Sequence, residues 1–197
     1  DRASLKKLAD AAEKLTDGNY TSDSIAKLND AISKAKADKD QNDPALDQAN
    51  ITAMKEAKAA LVSIVDLKAA LNEAAQHKAG TYTVSSYKLL KDAVTNAEPL
   101  KVNGTKEEVA NAAAAIRAAI KGLDKRAVGL DEYRDSIVLK KPEGYTEESY
   151  AAYKNAYDAL MALDSKETTA EMFANAKSAF EAAQAGLVQK PGSNGTG

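Results

Sequence analysis

A five-residue phrase, Tyr-Thr-x-x-Ser, occurs three times in this chain of 197 residues, at Tyr20-Thr21-x-x-Ser24, Tyr82-Thr83-x-x-Ser86 and Tyr145-Thr146-x-x-Ser149. The copies are almost evenly spaced, and a leucine precedes each tyrosine at one fixed distance: Leu5, Leu67 and Leu130. A period of this size makes the chain a tandem array of one small unit. Units of roughly 60 residues are of a size at which a lone core is marginal. Arrays space and bind more often than they catalyse.

The phrase reads as a helix start. Thr21, Thr83 and Thr146 suit an N-cap, whose hydroxyl accepts from a free N–H of the first turn. Tyr20 and Ile25 then hold the two positions of a hydrophobic staple, as do Tyr82 with Tyr87 and Tyr145 with Tyr150. Ser24, Ser86 and Ser149 fall where a small polar side chain reaches back toward the cap. The helix that follows carries an apolar stripe at 3-4 spacing: Ile25, Leu28, Ile32 and Ala35; Tyr87, Leu90, Val94 and Ala97; Tyr150, Tyr153, Tyr157 and Leu160. A third helix is expected after Asp47, Thr105 and Thr168. The second and third of these head the capping boxes Thr105-x-x-Glu108 and Thr168-x-x-Glu171. Its buried stripe is expected to be Ile51, Met54, Lys58 and Leu61, then Val109, Ala112, Ile116 and Ile120, then Met172, Asn175, Ala179 and Ala183. Ala57, Ala115, Phe173 and Phe180, in a neighbouring row, share the burial.

A first helix runs from Leu5 to about Leu15, Leu67 to about His77 and Leu130 to about Leu139. The expected fold is therefore all-α: three tandem three-helix bundles in an elongated rod, with repeats at 1–65, 66–125 and 126–189 and a linker or tail at 190–197. With ten glycines and four prolines, the composition agrees. Between Ile51 and Leu67 there is no helix breaker, which predicts one uninterrupted helix through Ile64–Leu67. An insertion carrying two glycines predicts a break within Gly122–Gly129. On this register the first copy also has a longer approach to its third helix, in the polar stretch from Lys36 to Asp47.

Three repeats of a Tyr-Thr-x-x-Ser helix start, an Ala/Leu stripe and a Thr-x-x-Glu-(Val/Met) start resemble the FIVAR repeat over about residues 4–189. Tyr87 and Tyr150 match the aromatic that follows the serine in that family, and Ile25 departs from it. The resemblance implies an accessory module of a Gram-positive surface or secreted protein, such as an adhesin or a glycoside hydrolase. It implies no catalytic residue. Fibronectin and glycan binding are attributed to some members.

Charge and chemistry narrow the classes further. Net charge is −2, with 27 basic and 29 acidic residues interspersed, which gives no footprint for nucleic acid. No cysteine is present, so disulfides and thiolate metal sites are excluded. No apolar run is long enough to insert in a membrane. The one histidine, His77, has no second ligand of its kind. Asp38, Asp40, Asp43 and Asp47 lack the spacing of a calcium loop and read as a solvated loop. No nucleophile–base pair or phosphate loop is legible, so neither enzyme activity, a cofactor nor a metal is expected.

The first expectation is a non-catalytic spacer of an extracellular multidomain protein, excised from a longer chain, acting as a monomer beside neighbouring domains of its own polypeptide. The second is an adhesin-type module for host glycan or extracellular-matrix protein. Its candidate surface is the aromatic set Tyr133, Tyr145, Tyr150, Tyr153 and Tyr157, since tyrosines serve as stacking platforms and hot spots.

Overall fold

The computed structural model describes residues 2–15 and 17–192, and of Asp17 the backbone only. It is all-α, with no strands among the described residues. The first repeat contributes α1 (Arg2–Glu13), α2 (Ser22–Asp38) and α3 (Pro44–Ala59). The second contributes α4 (Val65–Ala75), α5 (Val84–Ala97), the single turn α6 (Leu100–Asn103) and α7 (Lys106–Lys121). The third contributes α8 (Leu130–Asp135), α9 (Glu147–Met161) and α10 (Ala170–Ala185). By contacts the chain divides into two compact units, Asp1–His77 with Leu89–Lys121, and Lys78–Lys88 with Gly122–Gly197. Residues 193–197, part of the stretch read as a linker, lie outside the described residues.

In the first unit, α1, α2 and α3 pack on one another, and α4 packs on α7. The α2 stripe is buried in full: Ile25, Leu28, Ile32 and Ala35 meet Leu5, Ala9 and Ala12 of α1 and Ile51 and Met54 of α3. In the second unit α9 packs on α10, and Leu130, Tyr153, Leu160 and Phe180 form the core.

Helix three starts elsewhere than expected in two copies. In the first, Asp43 is the N-cap, accepting from the N–H groups of Ala45 and Leu46, with Pro44 as first helical residue. Proline there costs nothing, because that N–H has no intrahelical partner. The spacing from Tyr20 to its cap Asp43 thus equals the spacing from Tyr82 to its cap Thr105. The supposed excess of chain in the first copy is the first turn of α3. The capping box of Thr105 forms as expected: the Glu108 N–H donates to Thr105 Oγ1 at 3.1 Å, and the Thr105 N–H to Glu108 Oε1 at 3.0 Å. In the third copy the cap is Thr169, which accepts from the N–H of Met172, and not Thr168. One residue is about 100° of helix, so the buried row turns with it. Phe173, Ala176 and Phe180 face the core. Met172, Asn175 and Ala179, expected inside, are exposed. In the first copy the cap moves by four residues, about one full turn, so Ile51 and Met54 stay buried as expected, while Lys58, expected inside, is exposed.

The expected uninterrupted helix through Ile64–Leu67 does not form. α3 ends at Ala59 and α4 begins at Val65. Between them the chain is pulled straight: Tyr20 bridges to Ser63, the Thr21 N–H donates to Val62 O at 2.8 Å, and the Ile64 N–H to Asn19 O at 2.8 Å. Leu61 and Ile64 are buried by the same turn. Long-range pairing has overruled a segment whose local sequence contains no helix breaker. The break expected within Gly122–Gly129 is present, and Gly129, with φ 84, caps α8 from the left-handed region. α8 itself stops at Asp135, short of the expected Leu139.

These junctions reverse an intuition about proline. Val65 is the first residue of α4, so Val65→Pro escapes the helix-interior penalty. Ala127, which looks like loop, donates its N–H to Thr168 O at 2.8 Å. Ala127→Pro removes that bond and is expected to cost about 1–2 kcal/mol, more than Val65→Pro. Comparison of the two variants by thermal unfolding checks the order.

Candidate functional site

The three motif copies form one repeated structure, a clasp between the start of helix two and the exit of helix three. Each motif tyrosine forms an isolated bridge to the exit segment: Tyr20 to Ser63, Tyr82 to Lys125 and Tyr145 to Gln189. The threonine N–H donates to the exit carbonyl at 2.8 Å in all three, from Thr21 to Val62, Thr83 to Asp124 and Thr146 to Val188. A second backbone bond returns at 2.8–3.0 Å, from Ile64 to Asn19, Arg126 to Thr81 and Lys190 to Gly144.

The serine is the centre of the clasp. Ser86 Oγ donates to Thr83 O at 3.2 Å, and accepts from Thr83 Oγ1 at 2.8 Å and from the Asp124 N–H at 3.1 Å. Ser24 does the same with Thr21 and the Val62 N–H, and Ser149 with Thr146 and the Val188 N–H. A hydroxyl has one donor and two acceptor sites, and here all are used. The threonine also caps, accepting from the serine N–H at 3.3 Å in each copy. Thr21, Ser24, Thr83 and Ser86 are buried.

The cap role of the threonines was legible locally. The serine bond to a residue 38 or 39 positions later was not. A weak signal existed: Leu61, Leu123 and Leu187 open the exits at near-constant distance from the tyrosines. The staple forms in the third copy, where the Tyr145 and Tyr150 rings stack with centroids 6.5 Å apart. The motif tyrosines themselves are half-buried, which leaves less apolar surface to lose than a core ring would.

The candidate binding tyrosines are largely part of the core. Tyr153 is 1% exposed, with its ring 5.5 Å from that of Phe180. Its hydroxyl accepts from the Lys140 N–H at 2.9 Å, while Tyr150 donates its own to Lys140 O at 2.7 Å. The pair therefore pins the segment after α8. Tyr157 packs on Phe180, and Tyr133 meets Phe173 edge-on at 5.8 Å. Burial, reinforced by the bond it donates to Glu181, pushes the Tyr133 hydroxyl up to about 12. Lys177 lies over the Tyr133 ring at 4.7 Å. What stays open is a groove of about 530 Å³ flanked by Tyr145, Tyr150, Glu143, Glu147, Lys154 and Asn155.

The acidic stretch of the first repeat is only in part the solvated loop that was expected, for Asp40 and Asp43 are exposed. Asp38 and Asp47 are buried, and Asp43 is a cap. Asp38 accepts from Asn50 Nδ2 at 3.0 Å and Lys34 Nζ at 2.9 Å. The Asn50 amide first, then Lys34, hold its carboxyl below the usual range. A depressed pKa gives stability that is complete above the unfolded value and lost as pH falls through the folded one. Asp38→Asn is expected to flatten the fall in melting temperature below about pH 4, as calorimetry across that range would show. Asp47 lies 3.2 Å from Arg2 Nε, and its Oδ1 is buried without a hydrogen bond among the described residues.

His77 is half-buried just after α4. Among the described residues no three His, Cys, Asp or Glu side chains converge as a metal site, and no helix is long and apolar enough to cross a membrane. No family profile, curated protein or solved structure matches the chain.

Proposed function

We propose that this chain is a non-catalytic spacer of an extracellular, multidomain bacterial protein, built as three tandem three-helix bundles in an elongated rod. The carrying observation is the clasp: the one phrase repeated three times is spent on closing each repeat, through Thr21/Ser24, Thr83/Ser86 and Thr146/Ser149, and not on a shared exposed surface. Selection for a repeated closure suits a part whose task is to keep its shape. The resemblance to FIVAR repeats supports the same reading and suggests a Gram-positive surface protein or secreted glycoside hydrolase as the setting. Its partners are the neighbouring domains of its own polypeptide.

Small-angle scattering tests this. Stacked units of helices about 15 residues long give a rod approaching about 100 Å, whereas a compact chain of this length has a radius of gyration of about 16 Å. A value near the compact one refutes the spacer.

The groove at Tyr145 and Tyr150 favours one second reading, an adhesin-type module for host glycan or extracellular-matrix protein. Binding to either that is lost in Tyr145→Ala, with an unshifted melting temperature, would promote it over the spacer.

A further inference from the structure

Within the second compact unit, the clasp of the second repeat carries the turn that joins α9 to α10. The Val84 N–H donates to Lys166 O at 3.0 Å, the Ala127 N–H donates to Thr168 O at 2.8 Å, and Arg126 bridges to Thr169. One side chain completes the contact. Glu167 accepts from the Ser85 N–H through Oε1 at 2.9 Å and from Ser85 Oγ through Oε2 at 2.6 Å. Both partners lie in the first turn of α5, where a free N–H and the helix dipole favour a carboxylate.

The turn is also held by hydrogen bonds of its own. Asp164 holds it from within, its carbonyl accepting from the N–H of Glu167 at 3.0 Å and of Thr168 at 2.9 Å, and its Oδ1 from the Lys166 N–H at 2.8 Å. Thr168 adds its hydroxyl to the Asp164 carbonyl at 2.6 Å and is 1% exposed. Glu167 is thus presented by a fixed loop.

The other repeats differ at both ends of this contact. Three residues after the motif tyrosine stand Asp23, Ser85 and Glu148. Two residues before the helix-three cap stand Gln41, Asn103 and Glu167. At these two positions only the third repeat has a carboxylate in its turn, and only the second has a neutral double donor to receive it. On Asp23 or Glu148 the same carboxylate would meet its like.

We propose that the Ser85–Glu167 pair is an order-specifying contact: it makes the clasp of the second repeat a docking surface for an acid-bearing turn and refuses that turn to the other two clasps. A charged hydrogen bond is the stronger kind, and an unmatched pair of carboxylates converts that gain into repulsion. This rests on the reading of the chain as an ordered array.

The test is amide exchange on the intact chain. Val84 and Ala127 report docking of the turn, while Thr83 and Arg126 report the clasp itself. Ser85→Asp places an acid in a helical first turn, which by itself favours α5. Exchange at Val84 and Ala127 should nevertheless rise about tenfold, as expected for loss of one charged hydrogen bond, with Thr83 and Arg126 unchanged. Adding Glu167→Gln should restore most of the protection, because an amide can donate to the new aspartate. The proposal is overturned if Ser85→Asp leaves Val84 and Ala127 protected, if all four amides quicken together, or if the double variant is no better than the single. Exchange is read inside the chain, so this result can fail while a rod-like scattering profile stands, and the reverse.

Discussion

Replacing Tyr153 by alanine is expected to destabilise the third repeat by about 3–5 kcal/mol, the range for truncating a large buried aromatic. The ring is 1% exposed and is held between Tyr150, at 5.6 Å, and Phe180, at 5.5 Å. Its hydroxyl also accepts from the Lys140 N–H at 2.9 Å. Tyr153→Phe removes only that bond and should cost about 1 kcal/mol. Urea unfolding of the two variants separates the ring from the hydroxyl. Equal and small losses would mean that Tyr153 is not the keystone of this core, and would reopen the aromatic set as a surface made for a ligand.

Replacing Asp47 by valine is expected to stabilise the first repeat by about 1–3 kcal/mol, since well-packed apolar side chains often improve on a buried ion pair. Asp47 lies four positions after its helix-three cap, where the other repeats have Val109 and Phe173. Its neighbours in the cluster are exchanged in the same way. Asn50 stands for Ala112 and Ala176, Asp38 for Leu100 and Leu163, and Arg2 for Ile64 and Ala127. The Asp47 side chain is 8% exposed, while that of Arg2, at 37%, can turn to water once its partner is gone. Asp47→Ala removes the same charge but leaves a void, and should recover less. A lower denaturation midpoint for Asp47→Val than for the native chain would show that the Arg2–Asp47 pair is worth more than the packing it displaces.

The register of the third helix is where the sequence was most easily misread. Asp47 and Thr168 both look like caps, and each has a better cap close by: Asp43 followed by Pro44, and Thr169. Capping preferences alone differ by tenths of a kcal/mol among such side chains. What decides between them is which choice turns Phe173 and Phe180 inward, and that is a property of the packed core.

The helices, the threonine caps and the α2 stripe could be read directly from the chain, because period, cap chemistry and apolar spacing act within a few residues of one another. So could the tandem organisation of the sequence, since the motif announces its own period. The exits could not. Residues 60–64 contain no helix breaker, yet the helix stops there, where Thr21, Ser24 and Asn19 offer Val62 and Ile64 hydrogen bonds from far along the chain. The same holds for Ser85 and Glu167, which are 82 residues apart, and for the acids Asp38 and Asp47, polar in sequence and buried in space. Local signals set what each segment can be. Only the tertiary structure brings distant backbone donors and acceptors together, and their mutual satisfaction selects which of the locally allowed conformations survives.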